Sequence, residues 1–98
     1  MDSPDDPEPP PVVIEIGPSI DLHHFHPSEI LDVVDAYLDA ALEAGLTEVR
    51  LIHGKGRGVQ RGRVREFLRQ DRRVADWSEA PPMRGGWGAT LAVLVRPE

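Results

Sequence analysis

The 98-residue chain has no cysteine, no long apolar run and, before Arg50, not one lysine or arginine. The first absence excludes a disulfide framework, a thiolate metal site and a cysteine nucleophile. The second excludes a membrane-spanning helix, so no membrane partner is expected. The N-terminus also lacks the basic segment and apolar stretch of a secretory signal, which leaves a cytoplasmic setting as the expectation. What remains, with 40% apolar residues, suits one compact domain with a modest core.

The third absence gives the charge a direction. The formal net charge is −6, which taken alone argues against a nucleic-acid partner. Residues 1–49, however, hold 12 Asp and Glu with no Lys or Arg, while residues 50–98 hold 11 Lys and Arg against 5 acidic residues. Arg50, Lys55, Arg57, Arg61, Arg63, Arg65, Arg69, Arg72 and Arg73 fall within residues 50–73, beside only Glu66 and Asp71. A local excess of this kind is the footprint of a phosphate-binding surface.

Residues 1–11, with five prolines and four acidic residues, read as a disordered acidic tail, and residues 12–98 as the folded domain. Val12–Ile16 has the composition of a short edge strand, stopped by Gly17-Pro18. Ser19–His23 reads as a second strand. Pro27 opens a helix on which Ile30, Val34, Leu38, Ala41 and Leu42 recur at helical spacing, and Gly45 closes it. Glu29, Asp32, Asp35, Asp39 and Glu43 give that helix an acidic face, either simply solvated or open to a protein partner. Glu48–Ile52 reads as a strand, Val59–Gln70 as a helix burying Val64, Phe67 and Leu68, and Val74–Glu79 as a half-buried strand. The almost continuously apolar Ala89–Val95 predicts a central strand covered on both faces.

This order predicts an α/β fold: a two-layer βαβαββ sandwich with a mixed four-stranded sheet, two helices and an extra N-terminal edge strand. The first two main strands flank a helix and so should run parallel. Asp21-Leu22-His23 and His53 then leave the same sheet edge, outside the carboxyl ends of the strands, where α/β sheets bind ligands.

Asp21 and His23, two apart on a strand, should share a face, and a carboxylate beside an imidazole suits general acid–base work. The plainer alternative has Asp21 capping a loop beside a satisfied His23. In His53-Gly54-Lys55-Gly56-Arg57-Gly58, glycines that admit close approach combine with two cations and a following helix N-terminus. That is a phosphate-cradling design without the spacing of a Walker P-loop. His53 at its base can protonate a leaving oxygen. Arg61, Arg65, Arg69 and Arg72 should form one stripe on the second helix. Trp87 either stacks on a base or packs over the end of the core. His23, His24 and His26 do not read as a metal site, because the first two point to opposite faces and no acidic or Cys ligand stands at zinc spacing. His26 suits a helix N-cap.

Taken together, Ile20-Asp21-Leu22-His23, Leu51 through Gly58, and Gly85-Gly86-Trp87-Gly88-Ala89-Thr90 through Leu94 resemble the small MutS-related (Smr) domain. The resemblance covers about Ser19 to Val95. The LDxH pattern of that family falls on Ile20, Asp21, Leu22 and His23, its HGxG on His53, Gly54, Lys55 and Gly56, and its GGxGxT on Gly85 through Thr90. It implies the βαβαββ sandwich, nucleic-acid binding and, as in many members, endonuclease activity that nicks DNA or cleaves RNA. It further implies that Asp21, His23 and His53 are the nuclease-associated positions and that Lys55 and Arg57 contact phosphate. One departure is His24, followed by Phe25, where the family usually has a glycine. The bulkier residue either narrows the site or supplies another proton donor.

Two functions follow from residues and resemblance together. In the first, a phosphodiester-cleaving nuclease, Asp21 orients His23, and His23 and His53 share nucleophile activation and leaving-group protonation. Lys55, Arg57 and the amides of Gly54, Gly56 and Gly58 stabilise the developing charge. In the second, a binding module without catalysis, Arg61, Arg65, Arg69 and Trp87 recognise structured DNA or RNA. No ATP dependence is expected. Magnesium is the one candidate cofactor, and Asp21 alone is a poor site for it without further carboxylates or substrate phosphates.

Overall fold

A computed structural model of the chain describes residues 16–56 and 58–95. The expected tail, all but the last residue of the strand expected at Val12–Ile16, and Arg57 lie outside the described residues.

The elements are β1 (Ser19–Asp21), α1 (Ile30–Glu43), β2 (Glu48–Ile52), α2 (Val59–Gln70), β3 (Val74–Glu79) and β4 (Ala89–Leu94), with short 3₁₀ turns at Pro27–Glu29, Pro82–Arg84 and Gly86–Gly88. The strands form one sheet in the order β1-β2-β4-β3. β1 runs parallel to β2, with Ile20 opposite Leu51, while β4 is antiparallel to both β2 and β3. The mixed four-stranded sheet with two helices is therefore the architecture built.

Alternation along β2 decides which face is buried. Val49 and Leu51 are shut off from solvent and face the helices, together with Ala92 and Leu94 of β4. Against them α1 sets Ile30, Val34, Tyr37, Leu38 and Ala41, a stripe at helical spacing, and α2 sets Val64 and Leu68. The reverse face carries a smaller cluster of Ala80, Ala89 and Leu91 with Ile52. Val93 on that face is 40% exposed, which corrects the expectation that β4 is covered on both sides. Two helices lie on one face only, so a side chain pointing the other way meets solvent unless a loop folds beneath it.

Local chemistry sets the ends of α1. His26 Nδ1 accepts the Ser28 N–H at 3.1 Å, so His26 caps the 3₁₀ turn that leads into the helix. At the other end Gly45 takes a φ of 78°, and the Gly45 and Leu46 N–H groups bond the carbonyls of Leu42 and Ala41. This is the Schellman arrangement that glycine favours. Tyr37 donates its hydroxyl to the Gly17 carbonyl at 2.7 Å, tying α1 to the chain just ahead of β1.

The acidic face of α1 is not simply solvated. Asp35 and Asp39 each bond Arg73 at 2.7 Å, and Asp71 completes a cage of three carboxylates around that guanidinium. No described helix is long and apolar enough to cross a membrane.

Leu38 is wholly buried at the centre of α1. Leu38→Ala should lower stability by about 2–5 kcal/mol in urea unfolding. The exposed Glu43→Gln on the same helix should stay within about 0.5 kcal/mol.

Candidate functional site

Parallel pairing of β1 and β2 brings the chain after Asp21 and the chain after Ile52 to one edge of the sheet. Leu22 donates its N–H to the Ile52 carbonyl at 2.8 Å and buries its side chain completely, so both loops leave from a fixed point. The loop before β4 reaches the same edge because Ala89 lies opposite Ile52. Gly88 then closes the site: its carbonyl accepts the N–H groups of His53 and Gly54 at 3.0 and 2.9 Å. A methyl group at Gly88 would stand 2.8 Å from Lys55 Cγ, so glycine is what lets the two loops touch.

β1 ends at Asp21, two residues earlier than the spacing predicts, and His23 lies in the turn that follows. Asp21 and His23 therefore do not share a strand face. The cause is the Asp21 carboxylate, whose Oδ1 accepts the His23 backbone N–H at 2.9 Å and bends the chain. The imidazole still stays near its carboxylate, with Nδ1 3.8 Å from Asp21 Oδ1. A methyl at Gly54 would sit 3.5 Å from His23 Cε1 and Nε2, which places that ring directly over the glycine loop. His23 is exposed, its side chain 62% accessible. His24 does not cover the loop. It points outward, with Nε2 3.7 Å from the other Asp21 oxygen.

His53 is placed quite differently. It is buried, with Nδ1 3.1 Å from the Gly54 carbonyl and Nε2 2.9 Å from the Thr90 hydroxyl. Thr90 comes from β4, 37 residues away in sequence. Burial disfavours the imidazolium and is the largest cause holding His53 below its ordinary value of 6.5. The Gly54 carbonyl works against that shift, and the charges of Arg65 and Arg61 add to it.

The expected arginine stripe is broken up. Arg61 lies with its guanidinium 4.8 Å from the centre of the Trp87 ring, so one face of that indole is already covered. Trp87 remains 41% exposed. Arg65 turns inward instead: Nε donates to Thr90 Oγ at 3.3 Å and the guanidinium sits 5.3 Å over Trp77. Arg69 is held by Glu66 through two hydrogen bonds, at 3.1 and 2.6 Å. Arg72 lies past the end of α2 and is exposed. Arg73 is the caged residue already described. Among the described residues, the cations left open at this edge are Lys55, exposed at the loop tip, and Arg61 on its indole. α2 starts beside them, with Gly58 at its N-cap and no side-chain cap among the described residues. Its first N–H groups thus face the same side as the glycine loop.

Two residues that matter here were not singled out from sequence as site residues: Thr90, the partner of His53, and Gly88, the contact surface for Lys55. Both stand in the GGxGxT pattern, and Thr90 is further marked as one small polar residue in an apolar strand. As for metal, no group of three or more His, Cys, Asp or Glu gathers among the described residues. Asp21 offers one carboxylate, with one oxygen already engaged.

A folded-state value below that of the unfolded chain means that the unfolded chain takes up the His53 proton first. The resulting stability is fully present above about pH 6.5 and is lost as pH falls through the folded value. Urea unfolding followed downward from neutral pH should show this acid-side loss, and His53→Gln should flatten that part of the curve. An unchanged slope in the variant would assign the loss to another group.

A family model for the Smr domain matches residues 20–95. The chain is 43% identical over 89 residues to Endonuclease MutS2 of Thermomicrobium roseum, covering 87% of this chain and 11% of that protein. It is 46% identical over 80 residues to Endonuclease MutS2 of Symbiobacterium thermophilum, covering 82% and 10%. The chain thus spans about a tenth of the length of these relatives. The crystal structure of the Smr domain of Thermus thermophilus MutS2 superposes with a TM-score of 0.75 at 44% identity, over 81% of this chain and 98% of that one. YdaL, a stand-alone small MutS-related protein from Escherichia coli, gives 0.75 at 31% identity, over 82% and 65%. With three motifs meeting at one edge and these relatives on both sequence and fold, the chain belongs to the Smr domain family and is related to the MutS2 endonucleases.

Proposed function

We propose that this domain binds nucleic acid at the edge formed by the three loops and cleaves its phosphodiester backbone there, in the cytoplasm. The observation that carries the reading is the placement of the exposed His23 imidazole over the Gly54 backbone, beside Lys55 and the Arg61–Trp87 pair. The Gly54 N–H is already given to the Gly88 carbonyl, so a phosphate on the glycine loop meets the later N–H groups of the loop, Lys55 and Arg61, while the indole edge is open to a base or sugar. His23, with Asp21 behind it, is placed to take the proton of a nucleophile as that group attacks phosphorus. The departing oxygen takes a proton from solvent. His53 has both ring nitrogens engaged within the protein, so its part in this reading is to hold the loop rather than to transfer a proton. The chemistry needs no residue beyond these, and magnesium, if used, would draw its remaining ligands from substrate phosphates and water.

The buried state of His53 also favours a second reading, a binding module without catalysis. One experiment separates the two: labelled linear, branched and single-stranded DNA and RNA, with and without magnesium, tested for binding and cleavage. Wild type should bind with an affinity that falls steeply with salt, and should cleave at least one substrate. His23→Ala should lose cleavage by about 10²-fold or more and keep most of its binding. Lys55→Ala with Arg61→Ala should weaken binding and make its salt dependence shallower by about two phosphate contacts. His53→Ala should lose both, because the loop itself loosens. Undiminished cleavage by His23→Ala would overturn the catalytic assignment. Salt-dependent binding with no cleavage of any substrate by wild type would select the second reading.

A further inference from the structure

We propose that Arg65 is a positioning residue that acts through Thr90 to hold His53 in a single tautomer and so fixes the Gly54 end of the glycine loop. From sequence Arg65 stands on a phosphate-binding stripe. In the fold it belongs to the interior of the site.

The direction of each hydrogen bond follows from which atoms can donate. Arg65 Nε can only donate, and it reaches Thr90 Oγ at 3.3 Å. The Gly54 carbonyl can only accept, so the hydrogen in its 3.1 Å contact with His53 comes from Nδ1. In a neutral imidazole that leaves Nε2 bare, and the Thr90 hydroxyl 2.9 Å away donates to it. The chain then runs one way, from Arg65 through Thr90 and His53 to the Gly54 carbonyl. Moving the His53 proton to Nε2 would strand the Gly54 carbonyl against a bare nitrogen. It would also turn Thr90 into an acceptor from both neighbours.

Arg65 is itself held in place. Its guanidinium packs over Trp77, Nη2 lies 3.9 Å from the Glu79 carboxylate, and its side chain is 23% exposed. Nη2 makes no hydrogen bond among the described residues. Nε is committed to Thr90 and Nη2 is shut off from solvent, so these donors serve the interior of the protein. The network joins four elements: α2 supplies Arg65, β3 supplies Trp77 and Glu79, β4 supplies Thr90, and the end of β2 leads into His53. The consequence for phosphate binding rests on the proposed function, whereas the tautomer does not.

Long-range proton–nitrogen NMR of the histidine rings in the full chain, at a pH where His53 is neutral, reads the tautomer directly. Wild type should show His53 protonated at Nδ1 and bare at Nε2. Arg65→Met and Thr90→Val should each give a mixture of tautomers and speed amide hydrogen exchange at His53 and Gly54 by about fivefold, as one hydrogen bond is lost. Arg65→Lys, which restores a donor toward Thr90, should move both readouts back toward wild type. A wild-type His53 protonated at Nε2 overturns the proposal, even if no variant folds. A folded Arg65→Met with unchanged His53 ring signals overturns it as well. Oligonucleotide binding by wild type, run alongside, separates the two proposals. The expected tautomer without binding removes the functional reading and leaves the positioning role, and binding with the other tautomer does the reverse.

Discussion

The Gly88 carbonyl accepts the N–H groups of both His53 and Gly54, at 3.0 and 2.9 Å, and through those two bonds the loop ahead of β4 is laid onto the loop after β2. Everything at the site depends on that contact. It brings Gly88 so close to Lys55 that no side chain fits between them, it sets Trp87 beside Arg61, and it leaves Thr90 two residues further on, directly under the His53 ring. Leu22 supplies the matching constraint on the other side, fully buried and bonded to the Ile52 carbonyl, so that Asp21 and His23 cannot drift from the same edge. Three segments far apart in the chain thus share one small region because a parallel pair and an antiparallel pair meet at β2.

The charge of the molecule is arranged around that region more sparingly than its sequence suggests. Of the cations in residues 50–73, Arg73 is held by three carboxylates, Arg69 by Glu66, and Arg65 is turned inward. The acidic residues that quench Arg73 come largely from α1, in the half of the chain that has no basic residue at all. The separation of charge between the two halves therefore serves in part to join α1 to the turn after α2. Among the described residues, Lys55 and Arg61 remain open beside the glycine loop, a narrower arrangement than the helical stripe of arginines that the spacing suggests.

Much of this was legible in the sequence, for identifiable reasons. The apolar spacing from Ile30 to Ala41 and the glycine at 45 mark α1 and its end, since both are local rules of helix geometry and capping. α2 and β2 likewise bury Val64, Leu68, Val49 and Leu51 as their periodicities predict, with Phe67 only partly buried. β3 departs from its expected alternation, with a register shift between Val74 and Asp76, and β4 leaves Val93 open. The edge on which Asp21, His23 and His53 gather also follows from strand order alone. What the sequence did not show is one local competition and several long-range partnerships. An alternating strand through His23 is a fair reading of the residues, but the Asp21 carboxylate bonds the backbone two residues on and ends the strand early. A helical stripe of arginines is likewise a fair reading of spacing. Which of them face solvent depends on Thr90, Trp77 and Glu79, residues from other strands that no local pattern ties to α2. The partnership of His53 with Thr90 spans 37 residues and has no local signature.

The central claim is that the three loops form one nucleic-acid site, and amide chemical-shift mapping tests it most directly. Isotope-labelled protein would be titrated with short single-stranded and duplex DNA and RNA oligonucleotides. The account predicts shifts confined to His23–Phe25, His53–Gly58, the first turn of α2 and Gly85–Gly88, with the acidic face of α1 and the open sheet face at Val93 unmoved. Shifts centred on α1 or on the open sheet face, or none with any oligonucleotide, would contradict it.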